Sequence, residues 1–215
     1  MTAMRRRQFA RDAGLAAAFA LAGVSARAGE QGATPVEGRD FKRLVRPVAV
    51  TSDGKIQVIE FFWYGCPHCF IFEPLLDDWI TRLPADVAFR RVPVAFDARR
   101  EVHQRIYYTW EALGLLGTMH VRTFARFNAQ RKPVDSLDDM LAFARDNQLD
   151  TAKVQAAWNS FSVQARCREA GALTRDYDIS QTPEMGIQGR FTAVGSPVSM
   201  LATTDWLVER FRHGH

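Results

Sequence analysis

The sequence predicts an α/β fold in which a helical domain is inserted into a sheet. A strand–helix–strand pattern occupies residues 56–96, and residues 99–176 show helical periodicity without strand alternation. A strand pair and a helix then follow between residues 184 and 212. Because strands flank the helical stretch on both sides, one sheet split by an insertion is the simplest arrangement. We therefore expect one domain from residues 41–98 and 177–213, interrupted by a helical domain at 99–176.

The first half of the predicted sheet is defined by two apolar runs. Residues 44–50 predict a short edge strand, because Pro47 lacks the N–H group that a central strand needs. Residues 56–63 are apolar except for Gln57 and Glu60, which is typical of a strand buried on both faces. A helix and a further strand are predicted at residues 66–83 and 87–96.

The helical stretch and the C-terminal half complete the predicted order of elements. The strand pair at 184–194 is expected to turn near Gln188-Gly189. Thr203-Thr204-Asp205 offers N-cap side chains for a last helix that ends near Arg212. The predicted helices of the insertion are 99–114, 117–129, 136–146, 151–158 and 160–175.

Residues 1–28 have the three parts of an export signal, in order. Arginines at 5–7 form a charged start, residues 14–24 are apolar, and residues 26–28 fit a small-x-small cleavage site with the cut after Ala28. The apolar run is too short to span a bilayer comfortably. An amphipathic first helix of the folded domain is the alternative interpretation.

The charge distribution supports export and argues against a nucleic-acid partner. Residues 1–28 carry five arginines and one aspartate, which accounts for the net charge of +4 of the whole chain. The remainder is close to neutral, so no basic surface for nucleic acid is predicted. Residues 6–9, Arg-Arg-Gln-Phe, resemble a twin-arginine signal, although Arg5 precedes them. Both this route and general secretion stay open, and both place the protein where disulfides persist.

The sequence Cys66-Pro67-His68-Cys69 follows the predicted central strand and opens a predicted helix. A Cys-x-x-Cys pair at such a junction is typical of a thioredoxin-like redox site, so we expect a thioredoxin-like fold. In a helical turn the two sulfurs lie on one face and can close a small ring. Such a ring constrains little of the unfolded chain, which leaves the disulfide free to exchange.

The four residues of this motif have distinct expected roles. Cys66 at a helix N-terminus gains from the free N–H groups and the helix dipole, which lower a thiol pKa. Pro67 suits the first helical position, and His68 can donate a proton or carry charge beside the sulfur. Cys69, one turn further, is expected to be buried and to act as the resolving thiol. A stable Cys66 thiolate makes the disulfide more oxidising.

Other uses of the cysteines are less consistent with the spacing. A zinc site needs further ligands, and Cys167, His103 and His120 supply no second Cys-x-x-Cys or His-x-x-x-His. A purely structural disulfide is an alternative, but so small a loop stabilises little. We expect no metal and no cofactor. Cys167 is expected to pack as a small apolar residue, with a role in dimerisation or regulation as the alternative.

Residues 60–70, the helical insertion and residues 158–161 resemble the DsbA family of periplasmic disulfide oxidases. The resemblance implies that Cys66 forms the mixed disulfide with reduced or unfolded exported proteins. It also implies a DsbB-like membrane protein that reoxidises the cysteine pair, a periplasmic location and a monomer. A low thiol pKa and an oxidising couple are established properties of that family.

Thr182-Pro183 is the second expected site. Thioredoxin-like proteins carry a cis-proline before a strand that faces the cysteines, and Pro183 has that place in the order of elements. A trans turn proline is the alternative on sequence alone. A cis bond would turn the backbone of Thr182 toward the sulfurs, where it can pair with an extended substrate. Members of the family often have Val before this proline, so Thr182 is a departure.

Three charged residues are expected to tune the site. Glu60 is predicted to be a buried acid that relays the proton of Cys69, with a partly solvated edge position as the alternative. Arg91 stands where the family often has Lys and is expected to pair with Glu60. Glu73 lies one turn past Cys69, and a solvated helix face is the favoured interpretation there. The neighbouring aromatic residues Trp63, Tyr64 and Phe70 are expected to form an apolar rim, with core packing as an equal alternative for Phe70.

Two rival functions remain open at this point. An isomerase or reductase on the same fold would need the cysteines kept reduced. Dimeric isomerases carry an N-terminal dimerisation domain, and the segment between Ala28 and Cys66 is shorter than the ~50 residues of a small domain. A non-catalytic periplasmic chaperone would use the apolar rim alone.

Overall fold

The computed structural model describes residues 34–51 and 53–213. The predicted export signal, its cleavage site and the twin-arginine sequence lie outside the described residues. Across residues 34–51 and 53–213, no helix is long and apolar enough to cross a membrane.

The sheet has five strands in the order β1-β5-β4-β2-β3. Strand β2 pairs in parallel with β3 and antiparallel with β4, while β5 pairs antiparallel with both β4 and β1. The strands are β1 Phe41–Arg43, β2 Ile56–Phe62, β3 Val87–Pro93, β4 Glu184–Ile187 and β5 Phe191–Ala193. Since β4 joins β2 from the far side of the helical stretch, one sheet contains both halves, as the sequence predicts.

Most helices begin at a polar N-cap residue. The side chains of Asp97, Ser136, Asp150, Ser160 and Ser196 each accept a hydrogen bond from a backbone N–H of the first turn. The helices are α1 Pro67–Thr81, α2 Ala98–Ala112, α3 Leu116–Asn128, α4 Leu137–Asp146, α5 Thr151–Trp158, α6 Phe161–Asp176 and α7 Pro197–Arg212. Helices α2–α6 lie between β3 and β4, within two residues of the predicted bounds. The division of the chain into a sheet domain and a helical domain stays a prediction.

The predicted edge strand at 44–50 is wrong. The edge strand is β1, and residues 44–50 have no strand pairing. Leu44 and Val48 still donate backbone N–H groups to the carbonyls of Arg190 and Gly189, each at 2.8 Å. The segment therefore follows the β4–β5 turn with isolated bonds rather than a ladder, since Pro47 offers no donor between them.

The predicted start of the last helix is also wrong. Helix α7 begins after Ser196, whose hydroxyl accepts from Ser199 N–H, and Pro197 occupies the first turn. Thr203 and Thr204 lie in the middle of the helix and are buried, and Thr204 donates its hydroxyl to the carbonyl of Met200. A threonine can bond to its own helix in this way, so cap-forming residue types alone did not locate the start.

The core has two clusters, and β2 contributes to both. Val58 packs with Phe72 of α1 and Met200 of α7, whereas Ile59 and Phe61 belong to the larger cluster with the inserted helices. Side chains alternate between the two faces of a strand, so a strand covered on both faces must be apolar at successive positions. This explains the near-continuous apolar run and makes Glu60, within it, conspicuous.

Candidate active site

The two cysteines lie at the start of α1, where β2 ends. Cys66 is the N-cap residue, Pro67 is the first helical residue, and both cysteines are free thiols. Cys66 is 6% exposed and Cys69 is fully buried, whereas His68 is exposed. The backbone N–H of Cys69 donates to the sulfur of Cys66 at 3.4 Å. The helix therefore presents its N-terminal donors to one sulfur only.

The Cys66 thiol has a pKa lowered to about 5. The largest cause is the hydrogen bond from the Cys69 thiol, and the backbone N–H groups of Cys69 and His68 act in the same direction. Burial opposes the shift but does not outweigh these donors. The thiolate is thus the stable form of Cys66 at neutral pH.

The Cys69 thiol has the opposite behaviour. Burial raises its pKa far above the ordinary value, and the bond to Cys66 and the charge of Glu60 raise it further. Cys69 therefore keeps its proton in the reduced protein. Two cysteines only three positions apart thus differ in protonation because one faces the helix donors and the other faces the interior.

Thr182-Pro183 faces the cysteines from the start of β4. The peptide bond between the two residues is cis, as expected. The sulfur of Cys66 lies 3.3 Å from the carbonyl oxygen of Thr182, although the two residues are 116 positions apart in the chain. The structure therefore brings the two predicted parts of the site into direct contact.

The Glu60 carboxyl group and the Arg91 guanidinium lie in contact in the interior, near Cys69. Arg91 Nε lies 3.2 Å from Glu60 Oε2, and Glu60 is fully buried. The partly solvated alternative for Glu60 is therefore wrong. The pKa of Glu60 is raised well above its ordinary value, first by burial and then by the charge of Glu73, despite the opposing charge of Arg91. Glu60 is thus a carboxyl group that favours its protonated form.

Glu73 is the second carboxylate of this group, and the solvated interpretation is wrong. Its side chain is 9% exposed and lies 2.9 Å from Arg91 Nη2 and 3.3 Å from Nε2 of His120. Burial raises the pKa of Glu73, but His120 and Arg91 outweigh it and hold the pKa below the ordinary value. Asp77 provides a third acidic partner for Arg91 at 2.6 Å. One guanidinium therefore compensates three carboxyl groups.

The aromatic residues before the cysteines differ in position. Tyr64 is 1% exposed and packs against Phe62 and Phe124, so its expected place in an apolar rim is wrong. Trp63 and Phe70 are half-buried, and the Phe70 ring lies 6.3 Å from that of Phe124. Tyr64 can lie in the core because its hydroxyl is hydrogen-bonded to Nδ1 of the buried His120 at 2.8 Å.

Three polar residues of α2 and α3 hold the link between β2 and α1, and the sequence analysis missed them in this role. His103 accepts a hydrogen bond from Trp63, His120 bonds the hydroxyl of Tyr64, and Asn128 donates to the carbonyl of Tyr64. The only signal in the sequence is that each stands on a predicted helix. Their partners lie 40 to 64 positions away, which local periodicity does not reveal.

Cys167 lies apart from the redox pair. It is partly buried beside a cavity of about 610 Å³ between α2 and α6, and burial raises its pKa to about 11. A neutral, partly buried thiol is consistent with the predicted packing role. Among residues 34–51 and 53–213, no cluster of His, Cys, Asp and Glu has the size of a metal site.

Comparisons with known proteins agree with this geometry. Residues 57–203 match the model of the DSBA-like thioredoxin domain family. The chain is 33% identical over 179 residues to the thiol:disulfide interchange protein DsbA of Pseudomonas aeruginosa, covering 81% of this chain and 85% of the relative. It is 35% identical to the protein of the same name from Azotobacter vinelandii, covering 81% and 84%.

Solved structures show the same likeness. The crystal structure of Pseudomonas aeruginosa DsbA superposes with a TM-score of 0.80 at 32% identity, covering 84% of this chain and 96% of that one. The oxidoreductase DsbA from Xylella fastidiosa gives a TM-score of 0.78 at 28% identity, covering 83% and 98%. The family match includes β2, the cysteine pair, all the inserted helices and the cis-proline. The chain therefore belongs to the DsbA-like thioredoxin family and is a thiol:disulfide oxidoreductase.

Proposed function

We propose that the protein oxidises exported proteins by donating its Cys66–Cys69 disulfide through a mixed disulfide on Cys66. The observation that carries this proposal is the difference between the two sulfurs. Cys66 is stabilised as a thiolate with a pKa of about 5, whereas the buried Cys69 retains its proton. Such a pair favours the reduced state, and a protein that is stable when reduced is a strong oxidant.

The direction of the reaction follows from linkage. In the unfolded reduced chain the Cys66 thiol has an ordinary pKa near 9.0, and folding lowers it to about 5. This contribution to stability is absent below the folded pKa, grows as the pH rises and is complete above the unfolded value. At neutral pH it amounts to about 3 kcal/mol. The oxidised protein has no thiolate to stabilise, so the advantage belongs to the reduced form alone.

The transfer involves two exchange steps. A substrate thiolate attacks Cys66, the bond between Cys66 and Cys69 breaks, and the Cys69 sulfur leaves and takes a proton, for which Glu60 is the proposed donor. A second substrate thiolate then attacks the substrate sulfur of the mixed disulfide. The substrate disulfide forms and Cys66 leaves as its stabilised thiolate. Two electrons pass from the substrate to the cysteine pair.

Substrate binding is proposed at the Thr182-Pro183 segment. The carbonyl of Thr182 is 3.3 Å from the sulfur of Cys66, so an extended peptide joined to Cys66 runs alongside this backbone. His68 is exposed at the same mouth and Pro67 starts the helix there. We further propose a periplasmic location, a monomeric state and reoxidation by a DsbB-like membrane protein. The names of the relatives support thiol:disulfide interchange, and the partners themselves are inferred from the family.

Redox equilibrium and thiolate titration test this function together. The mature protein is equilibrated with glutathione buffers, and the ultraviolet absorbance of the thiolate is followed against pH in the reduced form. We expect one thiolate with a midpoint near pH 5 and a couple more oxidising than the glutathione pool. An ordinary midpoint with a reducing couple would overturn the oxidase proposal and favour a reductase or isomerase.

The proposed proton transfer from Glu60 has its own test. Glu60→Gln keeps the shape of the side chain but removes the acidic proton, so we expect reduction of the disulfide by a dithiol peptide to slow about 100-fold. The titration midpoint of Cys66 should stay near 5, because its main causes do not include Glu60. Glu111→Gln, at a partly buried ion pair between α2 and α6 that involves Arg166, is the matched control. An unchanged rate in Glu60→Gln would exclude the relay.

A further inference from the structure

The turn that carries Cys66 is attached to the inserted helices through Trp63. The backbone N–H of Cys66 donates to the carbonyl of Trp63 at 2.9 Å, so Trp63 is the first residue of that turn. The indole ring covers Gly65, where any Cβ would collide with it. The Trp63 side chain therefore covers Gly65, the residue directly before the reactive cysteine.

The Trp63 side chain is fixed from two directions by α2. Its indole Nε1 donates to Nδ1 of His103 at 2.6 Å, and the two ring planes are nearly parallel, with an interplanar angle of 10°. The guanidinium of Arg100 lies 4.4 Å from the Trp63 ring centroid, which is cation–π distance. His103 is 1% exposed, and its Nε2 lies 2.8 Å from Oδ1 of Asp135.

These contacts determine the proton positions on His103. An indole N–H only donates, so Nδ1 of His103 must carry a lone pair. The ring proton is then on Nε2, where it donates to Asp135. A doubly protonated ring would leave Trp63 without an acceptor and would place two N–H groups against each other. The bond from Trp63 therefore exists only while His103 is neutral.

We propose that His103 is a positioning residue for the Cys66 turn, acting through the hydrogen bond it accepts from Trp63. The inference rests on the proposed oxidase function, because it concerns how that site is held. His103 touches neither sulfur in this arrangement. In this proposal its effect on disulfide transfer passes through the indole ring and the turn that the ring covers.

The charged groups around His103 determine when the bond persists. Burial is the largest influence and lowers the pKa of His103, Asp135 and Asp97 raise it, and Arg99 lowers it. Arg100 faces the indole rather than the imidazole, and Phe127 of α3 packs edge-on against the ring without charge. The net pKa lies below the ordinary 6.5. Positioning is therefore present at neutral pH and is lost as the pH falls through the lowered pKa of His103.

A double-mutant cycle tests the path through the indole. We measure the second-order rate constant for oxidation of a reduced dithiol peptide by wild type, His103→Phe, Trp63→Phe and the double variant. Loss of one hydrogen bond predicts a decrease of about fivefold in each single variant. The double variant should be no slower than Trp63→Phe if the effect of His103 passes through the indole rather than through its other neighbour, Phe127, which also lies against Tyr64. Multiplicative losses, or a wild-type rate in His103→Phe, would overturn the proposal.

The pH dependence of the oxidation rate distinguishes positioning by neutral His103 from a purely structural contribution, which would not change with pH. His103→Asn places an oxygen acceptor near the Nδ1 position, and asparagine does not titrate. The wild-type rate constant is therefore divided by that of His103→Asn at each pH, which cancels the titration of the peptide thiols. We expect this ratio to be constant at neutral pH and to fall in acid. Asp135→Asn removes a carboxylate that favours protonation, so the fall should shift to lower pH. A flat ratio would contradict the inference.

The two proposals fail in distinguishable ways. Absence of peptide oxidation by wild type would remove the oxidase function, whereas wild-type oxidation with an uncoupled cycle would remove only the role of His103. Thermal unfolding of each variant checks that it folds. If His103→Phe does not fold, the comparison of His103→Asn with Asp135→Asn still decides, because Asp135 is 39% exposed and tolerates the change.

Discussion

Replacing Cys66 with Ser should reduce disulfide transfer to the rate of the uncatalysed reaction. In the proposed mechanism every exchange step passes through the sulfur of Cys66, whose thiolate is stabilised whereas the Cys69 thiol keeps its proton. Cys69→Ser should behave differently, because its Cys66 still attacks but no resolving thiol follows. When Cys66 attacks oxidised glutathione or a disulfide-bonded peptide, one thiolate leaves and a mixed disulfide should accumulate, which adds its mass to the intact protein, as mass spectrometry will show.

Cys167→Ser is the matched control for both cysteine variants. It removes a thiol that has a raised pKa and lies apart from the redox pair, so the transfer rate should equal that of wild type. If Cys66→Ser retained its full effect on reduced substrates, the protein would act as a chaperone rather than through chemistry. If Cys167→Ser lost disulfide transfer, the assignment of Cys66 as the reactive thiol would be wrong.

Arg91→Met should destabilise the fold by about 3–5 kcal/mol, the cost of breaking a buried ion pair from one side. Arg91 is 16% exposed and lies within 3.2 Å of Glu60, Glu73 and Asp77. Methionine matches the length of the stem but leaves the carboxylates uncompensated. Denaturant unfolding at neutral pH measures the loss.

The neighbouring residue Arg90 supplies the control for this experiment. Arg90 lies on the same strand and forms an exposed ion pair with Glu169 of α6. Arg90→Met removes this pair and should lower the free energy of unfolding by about 1 kcal/mol or less. The deficit of Arg91→Met should also shrink on acidification, because without Arg91 the folded carboxylates take up protons before the unfolded ones do. A loss equal to that of Arg90→Met would show that Glu73 and Asp77 do not need the charge of Arg91.

The sequence was sufficient for the cysteine motif and the central strand because both depend on local patterns. Cys66 at a strand–helix junction and the apolar run of β2 each follow from residues within one turn or one strand. The orientation of Glu73 did not follow, since a carboxylate one turn past Cys69 is solvated unless a cation from β3 and a histidine from α3 meet it. Tyr64 was misplaced for the same reason, because its partner is 56 positions away.

Helix ends and edge strands were the weak points of the prediction. The cap of α7 was assigned to Thr203 rather than Ser196, although Ser196-Pro197 is itself a cap followed by a first-turn proline. The edge strand was placed at 44–50 because those residues are apolar, whereas the pairing with β5 is made by Phe41–Arg43. Pairing depends on the partner strand, which single-segment hydrophobicity does not describe.

The long separation in sequence between Cys66 and Thr182 has a consequence for how the enzyme acquires activity as it folds. The two contacting residues are 116 positions apart, and β2 is completed on one side by β4, which follows five helices. Contacts between distant parts of a chain form slowly because a large loop must close first. During folding, Cys66 thus lacks its contact with Thr182 until that loop has closed. Full oxidase activity should consequently appear on refolding only with the final global transition. Before that transition the unfolded protein, with its free cysteines, is itself a substrate for oxidation by folded copies of the enzyme.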